Sequence, residues 1–178
     1  KIVAIDSKFI SERVSQLKDW DIEFIQGHVL DKDFLKKHLC DADVVHHLAG
    51  VTDVAYVKSE ENSELDNRII STGVEGTNNV LNSISEKCKI IFPSTHVVFE
   101  GLKKVKKNIT ENEPTCPLLT YAKSKVQNEI DIKNSKKNYV ILRLGSVYGY
   151  STDTMRIDIM PNLFSKMASQ NEVLKLFA

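Results

Sequence analysis

The stretch Tyr121-Ala-Lys-Ser-Lys125 decides how this sequence is interpreted, together with Ser94-Thr95 upstream of it. In a helix, residues four positions apart share a face, so Tyr121 and Lys125 would stand side by side. A neighbouring cation favours the ionised form of a phenol, which makes Tyr121 a candidate general base for alcohol–ketone interconversion. By itself the pair is a common pattern that also occurs on solvated helix faces, so its meaning depends on the surrounding chain.

Strand-like and helix-like segments alternate around this stretch. Short apolar runs with β-branched residues predict strands at residues 1–5, 21–25, 43–49, 89–92, 139–144 and 173–177. Apolar residues about one turn apart predict helices at residues 7–19, 32–39, 60–87 and 162–170, and a helix around Tyr121 that starts at Leu118 or Thr120 and runs to about residue 136. Asp31 is predicted to cap the second helix. This alternation predicts an α/β fold, a doubly wound parallel sheet with helices on both faces.

Composition and charge narrow the class of protein. The 178 residues carry zero formal net charge, which gives no bulk attraction to nucleic acid or to a membrane surface. The basic run Lys103–Lys107 has no interleaved aromatic residues and is interpreted as a solvated loop. Cys40, Cys88 and Cys116 lack paired spacing, which indicates free thiols in a reducing compartment. We therefore predict a cytoplasmic protein with no nucleic-acid or membrane partner.

Six short motifs follow one another along the chain: Ala4–Asp6, His47–Gly50, Gly76–Asn78, Pro93–Thr95 with Val98-Phe99, Tyr121–Lys125 and Arg143–Gly149. In this order and spacing they resemble the extended short-chain dehydrogenase/reductases that act on nucleotide sugars. This is the NAD-dependent epimerase/dehydratase family, in a form like UDP-glucose 4-epimerase. The resemblance implies a Rossmann-like domain and a role in carbohydrate metabolism.

The resemblance covers only the middle of the family's length. The family's first strand, glycine-rich turn and first helix would precede Lys1, and most of its C-terminal lobe would follow Ala178. We therefore expect a fragment with a truncated Rossmann-like domain. Residues 1–145 would be a partial NAD-binding domain with the catalytic Tyr and Lys, and residues 146–178 would begin the nucleotide-sugar-binding region.

The resemblance implies that NAD is the cofactor. An acid at Asp6 would accept hydrogen bonds from the adenosine ribose and repel a 2′-phosphate, which favours NAD over NADP, although Lys8 and Arg13 leave NADP open. Alternatively, Asp6 would cap the following helix. The full set of implied cofactor contacts is Asp6, His28, Val29, Leu48, Ala49, Gly50, Ser94, Tyr121 and Lys125.

The resemblance also implies roles around the reacting sugar. Thr95 would orient the sugar hydroxyl, Tyr121 would remove its proton, and Lys125 would hold the nicotinamide ribose while tuning Tyr121. The implied substrate is a nucleotide-diphosphate sugar, UDP-linked, and its contacts would be Thr95, Ser146, Asn162 and Phe177. Phe177 is interpreted equally well as an ordinary core residue.

Three functions are consistent with these residues. His96-Val97 stand where the 4,6-dehydratases of the family carry carboxylates, which favours an epimerase that transiently oxidises a sugar hydroxyl at C4. A second hypothesis is a keto-sugar or carbonyl reductase that consumes NAD(P)H. A third is a non-catalytic fragment or interaction module, because a helix N-terminus for the pyrophosphate is not in this sequence and NAD would bind weakly or not at all.

Two further expectations concern metals and assembly. His46 and His47 alternate across a strand without the spacing of metal ligands, so they are interpreted as structural and no metal is expected. In the family, two helices often form a four-helix bundle between subunits. The long helix from Glu60 and the Tyr121 helix are the candidates for such a homodimer.

Overall fold

The computed structural model describes residues 1–52, 63–150, 156–157 and 159–175. The strands are β1 (Val3–Asp6), β2 (Glu23–Gln26), β3 (Val44–His46), β4 (Lys89–Thr95) and β5 (Asn138–Leu144). The helices are α1 (Ser11–Asp19), α2 (Lys32–Leu39), α3 (Ser63–Ile70), α4 (Gly76–Ser83), α5 (Thr120–Asn134) and α6 (Met160–Ser169). The chain forms two compact units, Lys1–Arg143 and Leu144–Ala178, and each is described by itself.

The strands of the first unit pair in parallel, which confirms the predicted Rossmann-like α/β fold. β1 lies beside β2, with Val3 opposite Glu23 and Asp6 opposite Gln26. In a second sheet β4 lies between β3 and β5, and Val45 is opposite Ile90. Hydrogen bonding thus divides the five strands into two sheets. Parallel pairing also brings the carboxyl ends of neighbouring strands to one edge, where ligands bind in folds of this type.

The hydrophobic core of the first unit lies between β4 and the helices α2, α4 and α5. Its buried members are Leu35, Val80, Leu81, Ile84, Cys88, Ile90, Phe92 and Ile132. Full burial of each large aliphatic or aromatic side chain is worth about 1.5–3 kcal/mol, so this cluster is what holds α5 against the strands. The Asp31 side chain accepts a hydrogen bond from the Phe34 backbone N–H at 3.0 Å, which confirms the predicted cap of α2.

The predicted long helix, residues 60–87, differs from the observed one. Its described part begins at Ser63 and contains a π-helical turn, Ser71–Glu75, between α3 and α4. The Gly76 N–H bonds to the Ser71 carbonyl, five residues back, as a π-helix requires. The helix ends at Ser83 because Ile84 adopts an extended conformation.

Gly76 is needed for close packing. A Cβ atom at this position would lie 2.7 Å from Val29 Cγ2, closer than any real contact. The neighbouring Asn79 amide donates to the Val29 carbonyl at 3.1 Å. The loop after β2 is therefore docked against the start of α4.

The second unit contains α6, which begins two residues before the predicted start at residue 162. The predicted strand at residues 173–177 is wrong for residues 173–175, which are in no strand, and its other two residues, 176 and 177, lie outside the described residues. An apolar run makes a strand only when a neighbour satisfies its backbone groups, and Val173 is 78% exposed. In the described part of the chain, no helix has both the length and the apolarity to cross a membrane.

Candidate active site

Tyr121, Lys125 and Glu129 are spaced four residues apart along one face of α5. Tyr121 is 9% exposed and Glu129 is 2% exposed, so this face is turned into the protein. The Lys125 ammonium lies 5.8 Å from the centroid of the Tyr121 ring. The structure therefore places the two side chains together, while their catalytic roles stay predictions.

Lys125 is held against the end of β4. Its Nζ donates to the Pro93 carbonyl at 3.0 Å and lies 4.5 Å from the centre of the Phe92 ring, in a cation–π contact. Burial lowers the pKa of Lys125 to about 8, which still leaves it mostly protonated at neutral pH. The bond to Pro93 uses one of three ammonium protons, so the group keeps donors for a ligand's hydroxyl groups.

Ser94 and Thr95 stand at the carboxyl end of β4 and use their hydroxyl groups differently. Ser94 Oγ donates to Glu129 Oε1 at 2.6 Å, so its single proton is committed to that carboxylate. Thr95 Oγ1 accepts from the Val97 N–H at 3.2 Å and caps the 3₁₀ turn His96–Phe99. This bond does not use the threonine proton. Thr95, rather than Ser94, can therefore donate to a substrate oxygen.

A buried ion pair stands behind these residues, and the sequence interpretation missed it. Arg143 Nε and Nη2 donate to the two oxygens of Glu129 at 3.0 and 2.7 Å, a bidentate geometry. Arg143 Nη1 also donates to the Glu111 carbonyl at 3.1 Å. The network thus joins α5, the end of β4, β5 and the loop before α5. The spacing of Glu129, four residues after Lys125, was the available sequence signal.

Glu129 is held in its ionised form. Burial raises the pKa of the carboxyl group, but hydrogen bonds from Arg143 and Ser94, together with the charges of Arg143 and Lys133, outweigh it. The net effect is a pKa below the usual glutamate range. Glu129 therefore acts as an acceptor for both Ser94 and Arg143 and is not a proton donor at neutral pH.

β3 leads to the second group of predicted contacts. His47 is 3% exposed, and its Nε2 lies 2.9 Å from Thr77 Oγ1, which agrees with the structural role predicted for it. Burial and the Lys125 charge lower the pKa of His47 to about 4. Leu48, Ala49 and Gly50 follow at the surface, with open space around Gly50, and are accessible to a ligand.

The remaining predicted contacts of the first unit lie at the carboxyl ends of β1 and β2. Asp6 Oδ1 accepts from the Lys8 N–H at 2.8 Å, so Asp6 closes a local turn. It does not cap α1, whose N-cap residue is Ile10, and the alternative role for Asp6 is therefore wrong. His28 is exposed and accepts from the Leu30 N–H, whereas Val29 packs on α4.

The predicted substrate contacts other than Thr95 belong to the second unit. Ser146 is exposed. Asn162 is 8% exposed, and its amide accepts from the Gly149 N–H at 3.2 Å and donates to the Arg156 carbonyl at 2.9 Å, which closes the preceding loop. Phe177 lies outside the described residues. The substrate roles of these three residues stay predictions.

Two observations bear on other kinds of site. Within residues 1–52, 63–150, 156–157 and 159–175, no group of three or more His, Cys, Asp or Glu side chains could hold a metal ion. Open grooves lie along α3 and α1, lined by Arg68 and by Gln16 among others, and neither includes Tyr121 or Lys125.

One protein family matches this chain along most of its length. The family model described as the RmlD substrate binding domain matches residues 10–178. The chain belongs to this family. The match confirms the resemblance to the extended short-chain dehydrogenase/reductases that the six motifs indicated.

Solved structures show the same fold at low identity. UDP-glucuronic acid 4-epimerase from Bacillus cereus, in complex with NAD, is 24% identical with a TM-score of 0.73 over 99% of this chain and 57% of that one. WbmH from Bordetella bronchiseptica, with NAD+, is 24% identical with a TM-score of 0.71 over 97% and 55%. The dTDP-glucose 4,6-dehydratase DesIV from Streptomyces venezuelae, a double mutant with NAD bound, is 18% identical with a TM-score of 0.73 over 100% and 55%. The chain thus spans little more than half the length of these proteins.

The buried Glu129–Arg143 pair generates a stability prediction. Glu129→Gln leaves the Arg143 guanidinium without its charge partner at a site only 17% exposed, so we expect a loss of about 3 kcal/mol in the free energy of unfolding. Glu129→Gln combined with Arg143→Met should recover part of this loss, because no buried charge is left unpaired. Urea denaturation measures both. Lys133→Met, on the exposed side of Glu129, is the control, and an equal loss there would contradict the assignment.

The lowered pKa of Lys125 generates a pH prediction. A lysine ordinarily titrates near 10.5, so between about pH 8 and pH 10.5 the unfolded chain binds one more proton here than the folded chain. The Lys125 contribution to stability therefore rises with pH across this window, by about 3 kcal/mol in all. The free energy of unfolding of the wild type minus that of Lys125→Met should therefore increase by this amount between pH 7.5 and pH 10.5, as measured by urea denaturation curves. Lys123→Met, on the exposed face of α5, controls for loss of a lysine, and pH-independent differences for Lys125→Met would refute the shift.

Proposed function

We propose that this chain carries the catalytic half of a nucleotide-sugar epimerase-type oxidoreductase that transiently oxidises a sugar hydroxyl, at C4, with NAD as cofactor. The observation that carries the proposal is the placement of Lys125 beside Tyr121 on α5. Two hydrogen bonds, from Lys125 to Pro93 and from Ser94 to Glu129, hold α5 against the end of β4. Thr95 is the next residue of that strand.

Each of the three catalytic residues has one task in this proposal. Thr95 donates its free hydroxyl proton to the reacting sugar oxygen and orients it. Tyr121, as a phenolate favoured by the Lys125 charge, accepts the proton of the sugar hydroxyl. NAD, when bound, supplies the reversible acceptor for the hydrogen that leaves the sugar carbon. After the keto sugar has turned over, its carbon would take the hydride back on the opposite face while Tyr121 returns the proton to the oxygen, which completes the inversion.

The residues present fit the cofactor in its nicotinamide and adenosine ribose parts. Lys125 has ammonium donors left for the nicotinamide ribose, and the accessible segment Leu48–Gly50 lets a flat ligand approach the backbone. Asp6 is an exposed carboxylate at the end of β1, where a ribose acceptor is expected. Ser94 can only accept from a ligand, since its proton is held by Glu129. His28 and Val29 are the proposed adenine contacts.

Two observations support an epimerase and its substrate. The residues that follow Thr95 are His96 and Val97, so no carboxylate is placed there to act as the acid or base of a dehydration. Two of the similar structures are a UDP-glucuronic acid 4-epimerase and a UDP-bound WbmG enzyme. We therefore propose a UDP-linked sugar as substrate. Residues 1–145 would bind the cofactor and residues 146–178 would contribute to sugar binding, and the three free cysteines fit a cytoplasmic location.

Tyr121→Phe tests the mechanism directly. With NAD and UDP-sugars, the variant should lose about 10²–10⁴-fold in turnover, because the positioned base is gone. Epimerisation is followed by separating the two sugar epimers. Tyr139→Phe, a half-exposed tyrosine on β5, should retain full activity. Normal turnover by Tyr121→Phe would refute the assignment of Tyr121 as the base. Steady NADH oxidation by the wild type in the presence of substrate would indicate the reductase. A wild type with neither turnover nor NAD binding would indicate the interaction module.

We further propose a homodimer built on α3 and α5. Ile70 on α3 and Ile130 on α5 are 48% and 45% exposed, although the two helices pack against each other within the first unit. Sedimentation velocity should show a dimer for the wild type and a monomer for Ile130→Glu, since a charge in an apolar interface is costly. Ile109→Glu, at an exposed apolar residue of the loop before α5, is the matched control. A monomeric wild type would refute the dimer.

A further inference from the structure

His47 stands at the point where β3 gives way to the accessible segment Leu48–Gly50. Its backbone N–H still bonds to the Ile91 carbonyl of β4 at 3.0 Å, but the Leu48 N–H turns back to the His46 carbonyl at 3.1 Å. A bond between residues two apart is a γ-turn, centred here on His47. The side chain of His47 is buried, whereas His46 and Leu48 on either side are exposed. The segment therefore leaves the sheet at one anchored residue.

The hydrogen bonds around His47 determine which ring nitrogen carries the proton. Thr77 Oγ1 donates its only proton to the Gly73 carbonyl at 2.6 Å. The same oxygen lies 2.9 Å from His47 Nε2, so it must accept and Nε2 must donate. His47 is therefore the Nε2–H tautomer. The low pKa of the imidazole, which burial and Lys125 cause, is consistent with a neutral ring.

The chain of contacts continues on both sides of His47. Gly73 lies in the π-helical turn, and its carbonyl also accepts from the side-chain amide of Asn128 on α5 at 3.2 Å. In this orientation the Asn128 amide nitrogen faces two carbonyl oxygens, those of Gly73 and Ser124. On the other side, the Phe92 ring lies 5.8 Å from the imidazole, and the Lys125 ammonium packs over the same ring. His47 thus connects the π-helical turn to the residues that hold Lys125. π-helical turns are frequent at functional sites.

We propose that His47 is a positioning residue whose Nε2–H bond to Thr77 fixes the Leu48–Gly50 segment in the orientation that a bound dinucleotide needs. The side chain itself is too deeply buried to touch the cofactor. It acts through the γ-turn it anchors, and Thr77 is its partner. The inference rests on the proposed function, because that function is what makes Leu48–Gly50 a cofactor contact.

Substitutions that match or miss the Nε2 position test the bond. The amide nitrogen of Gln reaches about as far from the backbone as imidazole Nε2, whereas that of Asn reaches only as far as Nδ1. His47→Gln and Thr77→Ser should keep the bond, and His47→Asn and Thr77→Val should lose it. His46→Gln, at the exposed neighbouring residue, is the control for replacing a histidine in β3.

The first readout needs neither cofactor nor turnover. Long-range ¹H–¹⁵N NMR of the wild type should show His47 as the Nε2–H tautomer. Amide hydrogen exchange of Leu48 should be about tenfold faster in His47→Asn and Thr77→Val, the effect of one lost buried hydrogen bond. His47→Gln and Thr77→Ser should restore wild-type exchange, and Ile90 in β4 should not change in any variant. An Nδ1–H tautomer, or unchanged Leu48 exchange in His47→Asn, would overturn the proposal.

The second readout is the dissociation constant for NAD, measured by calorimetry. We expect His47→Asn and Thr77→Val to weaken binding about tenfold and the Gln and Ser variants to stay near the wild type. Equal losses in all four variants would overturn the proposal, since they would indicate damage rather than a specific bond. Failure of the proposed function is separate. If Tyr121→Phe keeps full turnover while the exchange results hold, the catalytic assignment fails and the anchoring role of His47 stands.

Discussion

The geometry of the candidate site depends on one buried carboxylate. Glu129 accepts from Ser94 at the end of β4 and from two guanidinium nitrogens of Arg143 on β5, and it lies on the face of α5 that carries Tyr121 and Lys125. A buried charge is costly unless every lone pair finds a donor, so the three elements can adopt few other arrangements. The orientation of α5 relative to Thr95 follows from this constraint.

The same packing determines the chemistry of the individual groups. Close approach of α5 to β4 buries Lys125, which lowers the pKa of its ammonium and leaves Pro93 and Phe92 as its neighbours. It also directs the Ser94 proton to Glu129, so that Thr95 is the hydroxyl with a proton to give. On the other side of the core, the π-helical turn brings Thr77 under His47. The π-helical turn and the packing of α5 on β4 therefore belong to one arrangement of contacts.

Local patterns predicted much of this fold, and the errors have a common cause. The strands near residues 3, 23, 44, 89 and 139, and the cap at Asp31, follow from signals within a few residues of each. The long helix was predicted without its π-helical turn, in which the Gly73 carbonyl accepts from Asn128 on α5. The strand predicted at residue 173 lacked a neighbour, which an apolar run does not reveal. Each error concerns a partner that is distant in sequence.

The features of the candidate site also divide into those that local sequence determines and those that depend on partners distant in sequence. The amino-acid sequence alone determined that Tyr121, Lys125 and Glu129 share a helix face, because helical periodicity is a property of the backbone. It also determined that no carboxylate follows Thr95, but it predicted the fourth strand only to residue 92, whereas β4 runs to Thr95. Only the tertiary structure decided that Arg143 pairs with Glu129, that Ser94 donates its proton to Glu129, and that His47 is a neutral donor to Thr77. Such pairings depend on which donors and acceptors burial brings together, and burial is a property of the whole fold.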